Sequence, residues 1–545
     1  MTLETLTPDE NTQLDDLELK LHKRTRMTKW VIAIILLVSI GISGWLLSGL
    51  AGYSPPEPTP LERLLTTRFA DLQLDWFETL STGSRVNKRL LVDKQEKFMT
   101  SAEKFLAEIK EYHPDLHTPM TKLLETMRRY DQISLLAETP AKALGEPVAE
   151  TNKVLEGLTP RFMLDVEHFE GLINDSYVVA GMIRVFEILN ILHFSAGERT
   201  DTIDLYVVRV RDTLPSQAFR HGYTRRDDAD LAFVLQDNAT SHASDYLFPS
   251  FARADAAFER RFKDRVPDEM KKPYRVLLEL VQLELRDLAE TSKETFDEVA
   301  GNVAKRAQIF KRAEEMAEKL GISLKRPDGL LWPPTFAAHV LLENTEANKK
   351  GEKILYDSDK DALMEVTRAL DNDEAQHILE AVANGIVRAV GFHEARHVLD
   401  VRDAREAGFC IRDKVRIVDR DPDFLRSVDL ECRAYLTEII EAPETVRMTL
   451  LGLLNHLYSR SGTTNFYAAR TLLHPLVFEK DEENIPYGWN YIEELTLRLA
   501  AAEPEQLKAK ALSFYAECFD DYVPLTLTAD ERIRQDSGGC STTGF

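Results

Sequence analysis

From Trp30 to Ala51 the chain reads WVIAIILLVSIGISGWLLSGLA, with no charged residue. About 20 helical residues at 1.5 Å each cross the hydrocarbon of a bilayer, so the run predicts a transmembrane helix. Lys20, Lys23, Arg24, Arg26 and Lys29 precede it. The excess of basic residues on that side puts residues 1–29 in the cytoplasm and everything after 51 in the periplasm or outside the cell. The long polar lead and the length of the apolar run favour an uncleaved anchor over a cleaved signal peptide. SPPEPTP, residues 54–60, is a stiff proline-rich spacer within a linker spanning 52–60.

Beyond the spacer the pattern changes twice. From about 61 to 200, stretches such as EKFMTSAEKFLAEIKEY and GMIRVFEILNILHF place apolar residues at three- and four-residue steps and predict helices. IDLYVVRVRDTL, within 203–236, is β-branched and partly alternating, which predicts a strand or two. Long helices return over 274–320, where Phe296, Val299, Val303 and Phe310 fall at heptad-like steps. A packed bundle explains that short run better than a free coiled-coil arm, and Gly321 is a natural stop. KRPDGLLWPP, 325–334, is rich in helix breakers and marks a domain boundary or a structured loop. TFAAHVLLEN and EKILYDS lean toward strand. Asp371 and Asp373 offer N-caps for a long helix over about 374–399. A charged loop follows over 402–423, then a helix over 427–441 that ends before Pro443, then further helices to about 520. The fold class is therefore mainly α (α+β), a helical ectodomain with a few short strands behind one N-terminal membrane helix. The expected divisions are a cytoplasmic tail 1–29, the span 30–51, the linker 52–60, a helical domain 61–325, a second domain 326–525 and a disordered tail 526–545.

Composition narrows the chemistry. Of the 545 residues 44% are hydrophobic and 29% charged, with a net charge of −23. That deficit argues against a nucleic-acid surface, which needs clustered Lys and Arg. The four cysteines, Cys410, Cys432, Cys518 and Cys540, form no CxxC pair, which argues against a cysteine zinc site or thioredoxin-like chemistry. Outside the cytosol they are free to form disulfides, and a Cys410–Cys432 bridge would close a loop beside the stretch considered next. No GxSxG elbow, Walker loop or GxGxxG occurs.

The stretch that carries chemistry is VRAVGFHEARHVLD, residues 387–400. Residues four apart share one face of a helix, so His393 and His397 direct two imidazoles at one ion. Zn2+ takes neutral imidazole nitrogen readily. Glu394, one position round, reaches the open side of that ion, where it can accept a proton from an attacking water. HExxH has its spacing for this geometric reason. Arg396 departs from the usual uncharged residue at that place, and would point to solvent or pair with an acid of the 400–423 loop. The other His-x-x-x-His spacing, HPDLH at 113–117, contains Pro114 and reads as a turn. His377, upstream on the motif helix, reads as packing.

A catalytic zinc needs a third protein ligand and one open position. Asp400 stands where the metzincin continuation H-x-x-G-x-x-H would need glycine, so the ligand must come from farther on. In SVDLECRAYLTEIIEA, Glu431, Tyr435 and Glu438 lie at i, i+4 and i+7 along one stripe of a helix. Here the sequence resembles the gluzincins, the thermolysin-like zinc metallopeptidases, over about residues 374–441. Their metal is held by the two HExxH histidines and a glutamate from a later helix. The resemblance implies a zincin-like pair of active-site helices in the 326–525 domain, with His393, His397 and Glu431 as ligands, Glu438 as the alternative third ligand and Glu394 as general base. Tyr435, His456, Tyr458 and His474 are the candidate donors to an oxyanion, and Asp400 or Asp429 could orient a ligand imidazole. The expected activity is hydrolysis of a peptide or protein substrate by a membrane-anchored zinc metallopeptidase. The competing reading is a membrane-tethered helical scaffold with a degenerate HExxH, and the approach of a third ligand separates the two.

Overall fold

A computed structural model describes residues 59–83, 88–133, 140–173, 176–199, 202–212, 214, 221–224, 231–262, 265–322, 324, 329–332, 335–403, 421–459, 462–478, 488–519 and 522–532. The expected membrane span Trp30–Ala51, the cytoplasmic tail, most of the 402–423 loop and residues 533–545 lie outside this set. Among the described residues no helix is long and apolar enough to cross a membrane.

The described residues are mainly helical and carry one six-stranded sheet. The first four long helices are α1 (Phe69–Gly83), α2 (Lys88–Tyr112), α3 (Pro114–Ile133) and α4 (Pro140–Leu158). The sheet follows, with β1 (Phe162–Ile173), β2 (Ser176–Ala196), β3 (Thr202–Val210), β4 (Gly222–Thr224) and β5 (Ala232–Leu235). Its order is β1-β2-β3-β5-β4, antiparallel except where β3 runs parallel to β5, so β4 is an edge strand. The later helices are α5 (Gln236–His242), α6 (Ala254–Phe262), α7 (Lys271–Leu288), α8 (Lys293–Lys319), α9 (Thr335–Lys349), α10 (Asp357–Leu370), α11 (Asp373–Arg402), α12 (Pro422–Glu441), α13 (Val446–Ser459), α14 (Thr464–Leu472), α15 (Trp489–Ala501) and α16 (Pro504–Phe519). A last strand, β6 (Leu525–Arg532), pairs with the second half of β2 beyond the end of β1. Residues 58–332 and 352–545 form one compact unit, and α9 belongs to another.

The long strand β2 replaces an expected helix. GMIRVFEILNILHF lies wholly within it. Met182, Ile183, Val185, Phe186 and Ile188 are buried, and so are Arg184 and Glu187. With both faces covered the two-residue alternation disappears, and an apolar run of this kind reads equally well as helix. Buried amides tie the first helices to the strands. The Gln73 side chain donates to Ile183 O and accepts from Ile183 N, both at 2.8 Å, and Asn152 clamps Leu164 in the same way at 2.8 Å. Each amide stands in for a neighbouring strand, satisfying backbone groups that would otherwise be buried without partners.

TFAAHVLLEN is the other reversal: it lies in helix α9, as its Ala and Leu content favours. EKILYDS forms no strand and leads into α10, with Tyr356 as N-cap residue. Residues 526–532 of the expected tail lie in β6. The strand IDLYVVRVRDTL, the helices over 274–320 and the two helices of the motif region form as the sequence predicts. Gly321 adopts φ +68° just past the end of α8, and α12 ends at Glu441 before Pro443. The N-cap of α11 is neither aspartate but Asn372, whose side chain accepts from Ala375 N at 2.8 Å.

One buried core runs from Leu192 on β2 through α7, α8, α11, α12, α13 and α15 to Leu525 on β6. It is continuous across residue 325. At its centre α11 lies against β3, β4, β5 and α12. The approach of α11 to β2 depends on Gly391, where an added Cβ would stand 3.1 Å from Leu192 Cδ1 and 3.3 Å from Phe194 Cζ. The T-shaped pair of Phe194 and Phe392, 5.1 Å apart, seals the same contact.

Candidate metal centre

α11 and α12 pack side by side, and their facing stripes carry the motif residues. His393 Nε2 lies 3.2 Å from His397 Nε2, 3.5 Å from Glu431 Oε2, and His397 Nε2 lies 3.9 Å from Glu431 Oε1. Among the described residues this is the one group of three metal-ligating side chains whose donor atoms all fall within 4.8 Å of one another. Zinc bonds of about 2.05 Å in tetrahedral geometry separate ligand atoms by about 3.3 Å, so the trio fits such an ion with small adjustment. Two neutral imidazoles and a carboxylate are also the donor types zinc accepts. The side chains lie deep yet retain accessible surface, 12% for His393, 14% for His397 and 25% for Glu431, so they line a recess open to solvent.

Glu438 is not a third ligand. One turn beyond Tyr435, its Oε2 lies 3.4 Å from His393 Nδ1, on the far side of the ring from Nε2. It orients the imidazole, holding Nδ1 so that Nε2 faces His397 and Glu431. Thr449 holds Glu438 in turn, with Oγ1 donating to Oε1 at 2.5 Å. Burial alone would lower the His393 pKa, but the bonds to Glu431 and Glu438 outweigh it and push the value up to about 10. Burial works to raise Glu431, yet His393 and His397 hold its carboxyl below the usual range. The pair therefore demands positive charge in the recess, which a divalent cation would supply in place of the proton.

Glu394 is buried and turned toward β4. Thr224 Oγ1 lies 3.1 Å from Glu394 Oε2 and 3.2 Å from its carbonyl oxygen. An added Cβ at Gly222 would stand 2.7 Å from Glu394 Cγ and 2.8 Å from Oε1, so only glycine fits there. Neither Gly222 nor Thr224 carries a sequence signal, because a three-residue edge strand is too short for periodicity.

The other candidates divide. The Tyr435 ring stands edge-on to His393 at 4.7 Å, and burial, followed by Glu431, Glu438 and Glu394, holds its hydroxyl protonated to well above the ordinary tyrosine range. His456 is half-buried on α13, within the field of Glu431; burial and then Arg261 lower its pKa to about 4. Tyr458 belongs to the core instead: two residues on, it faces the opposite way, packs against Phe262 and Tyr274, and shares a 3.0 Å bond with Thr496. His474 is likewise structural, bonded through Nδ1 to Tyr491 at 2.7 Å and stacked on Phe478. Asp429 binds Arg433 at 3.1 Å, and the charge of Asp400 acts on the same guanidinium. His377 is exposed, so it is not a packing residue. Cys432 is a buried free thiol, so no Cys410–Cys432 bridge exists, and Cys518 is disulfide-bonded.

Arg396, the departure from the usual motif, neither faces solvent nor pairs with a loop acid. It is fully buried, donating from Nε to Thr437 Oγ1 at 2.8 Å and from Nη2 to Val523 O at 2.5 Å. The rings of Tyr515 and Tyr522 lie 5.5 and 5.1 Å from its guanidinium carbon. A buried cation survives on such partners. Arg396 thus pins the motif helix to α12, α16 and the segment leading into β6. No family model, curated protein or solved structure matches the chain.

Proposed function

We propose that the protein is a membrane-anchored zinc metallopeptidase, with His393, His397 and Glu431 as ligands and Glu394 as general base. The observation that carries this reading is the convergence of the three donor groups at tetrahedral spacing, with Glu394 next to a ligand in the chain and its charge acting on His393. The approach of a carboxylate from a second helix favours it over a tethered scaffold. A bound zinc ion would supply Lewis acidity, polarising a carbonyl and acidifying water. Glu394 takes the proton of the attacking water and passes it to the leaving amine. Thr224 holds the Glu394 carboxylate in place through its hydroxyl. Among the described residues β4 ends the sheet beside Glu394, and an extended peptide would add there as a further strand. Tyr435 through its hydroxyl and neutral His456 through a ring N–H are the hydrogen-bond donors available to an oxyanion. The disulfide at Cys518 agrees with a location outside the cytosol, as the charge pattern around Trp30–Ala51 implies.

Metal analysis of the purified protein beside Glu394→Gln tests the proposal. Both should hold one zinc per chain, and peptide hydrolysis by the variant should fall about 10²- to 10⁴-fold. A parent protein without metal, or a variant that cleaves undiminished, would overturn it.

A further inference from the structure

The recess has a second wall, a row of aromatic rings that ends in an arginine. His221 directly precedes Gly222, the residue in contact with Glu394, and its carbonyl accepts from Leu235 N at 2.8 Å. From there a line of rings leads away from the general base. The His242 ring lies 6.2 Å from that of His221, and the Tyr246 ring stacks 5.1 Å beyond His242. The Arg261 guanidinium lies 4.2 Å from the centre of the Tyr246 ring. His456 stands near the same line, where the charges of Arg261, Glu431 and His221 all act on it. His221 and Arg261 are exposed, and His242 and His456 are half-buried, so the line borders solvent.

One guanidinium and three imidazoles gather here in a chain of net charge −23. Burial, then Arg261, His221 and His456, bring His242 down to about 3, and burial likewise lowers His221 and His456, so Arg261 carries the positive charge and the rings offer neutral N–H donors. Glu438 and Glu431 act on His221 and His456 from the ligand side. Among the described residues no carboxylate pairs with Arg261; its partner is Tyr246, which holds the guanidinium by cation–π contact and a side-chain hydrogen bond. The remaining N–H groups, at an exposed end of the row, are left for an oxygen acceptor brought from elsewhere.

We propose that Arg261, with His221, His242 and His456 behind it, is a carboxylate-binding subsite of the recess, taking a negative group of the substrate within a few residues of the bond that is cut. The proposal rests on the peptidase reading for its substrate, a peptide, but not for its chemistry. The carboxylate comes either from the end of the peptide or from an acidic side chain.

The test is binding to the full-length protein in detergent, stripped of metal by chelator so that turnover plays no part. Two pairs of blocked, otherwise neutral tetrapeptides serve as probes. One pair differs in a C-terminal carboxylate against a carboxamide, the other in an internal Glu against Gln. One pair should bind about 10- to 100-fold tighter in its charged form, the strength of a charge-assisted hydrogen bond. Which pair responds identifies the source of the carboxylate. Arg261→Gln should abolish the difference and Arg261→Lys should restore part of it, which a merely structural role would not do. Equal binding of charged and neutral forms in both pairs, a preference that survives Arg261→Gln, or no binding of any peptide would overturn the subsite. If the preference holds but zinc-loaded protein hydrolyses none of the probes, the peptidase reading fails and the subsite stands. Hydrolysis without the preference leaves the peptidase standing and removes the subsite.

Discussion

The chain contains His-x-x-x-His twice, at 113–117 and at 393–397, and the two share nothing but spacing. His113 falls in the break between α2 and α3, and Pro114 opens the new helix, where its missing N–H costs nothing. The two rings therefore do not rise from one helix. His393 and His397 stand within an unbroken helix of 30 residues, their ring nitrogens 3.2 Å apart. A second difference matters more. No metal-ligating group of three forms around the first pair among the described residues, whereas α12 brings Glu431 and Glu438 to the second. Spacing aims two imidazoles; a neighbouring helix makes them a centre.

Substitutions should separate the pairs, and the largest effect is loss of the metal. His393→Ala or His397→Ala should remove bound zinc, measured by metal analysis after dialysis, while His113→Ala with His117→Ala should retain one ion per chain. Next comes the orienting carboxylate. Glu438→Gln should weaken zinc binding about 10- to 100-fold in a competition titration, since it leaves the ligands in place and loosens one ring. pH gives a third measure. Metal uptake must displace the proton that the metal-free protein holds on His393 up to about pH 10. Apparent zinc affinity should therefore rise with pH below that value, by up to about tenfold per unit. The smallest effect belongs to the first pair: His113→Ala and His117→Ala should each shift stability by no more than about 0.5 kcal/mol in denaturant unfolding.

The same contrast explains how much could be read from the sequence. The amphipathic helices, the strand at 202–210 and the grouping of His393, His397 and Glu431 were legible because each depends on a local period or a fixed spacing. β2 was not, because a strand buried on both faces loses its alternation. The roles of Glu431 and Glu438 differ only in which ring nitrogen each faces, and one helical stripe cannot distinguish them. Tyr458 and His456 lie two residues apart and point to core and recess, a choice made by α15 and α6 packing against α13. Arg261, His242 and His221 come together from three separate elements, and no pattern in the chain joins them. Arg396 looked like a flaw in the motif because its partners, Thr437, Val523, Tyr515 and Tyr522, lie 41 residues or more away.

That arginine also sets a timetable. The guanidinium at the heart of the motif helix gains its last acceptor only from Val523, and β6 then closes over β2 through pairs such as Asn190 with Arg532. A ribosome that has delivered every ligand, but not yet this stretch, has produced a helix with an unsatisfied cation at its centre. The activity proposed for this site would stay harmless to the synthesis and export machinery until the segment that leads into β6 arrived.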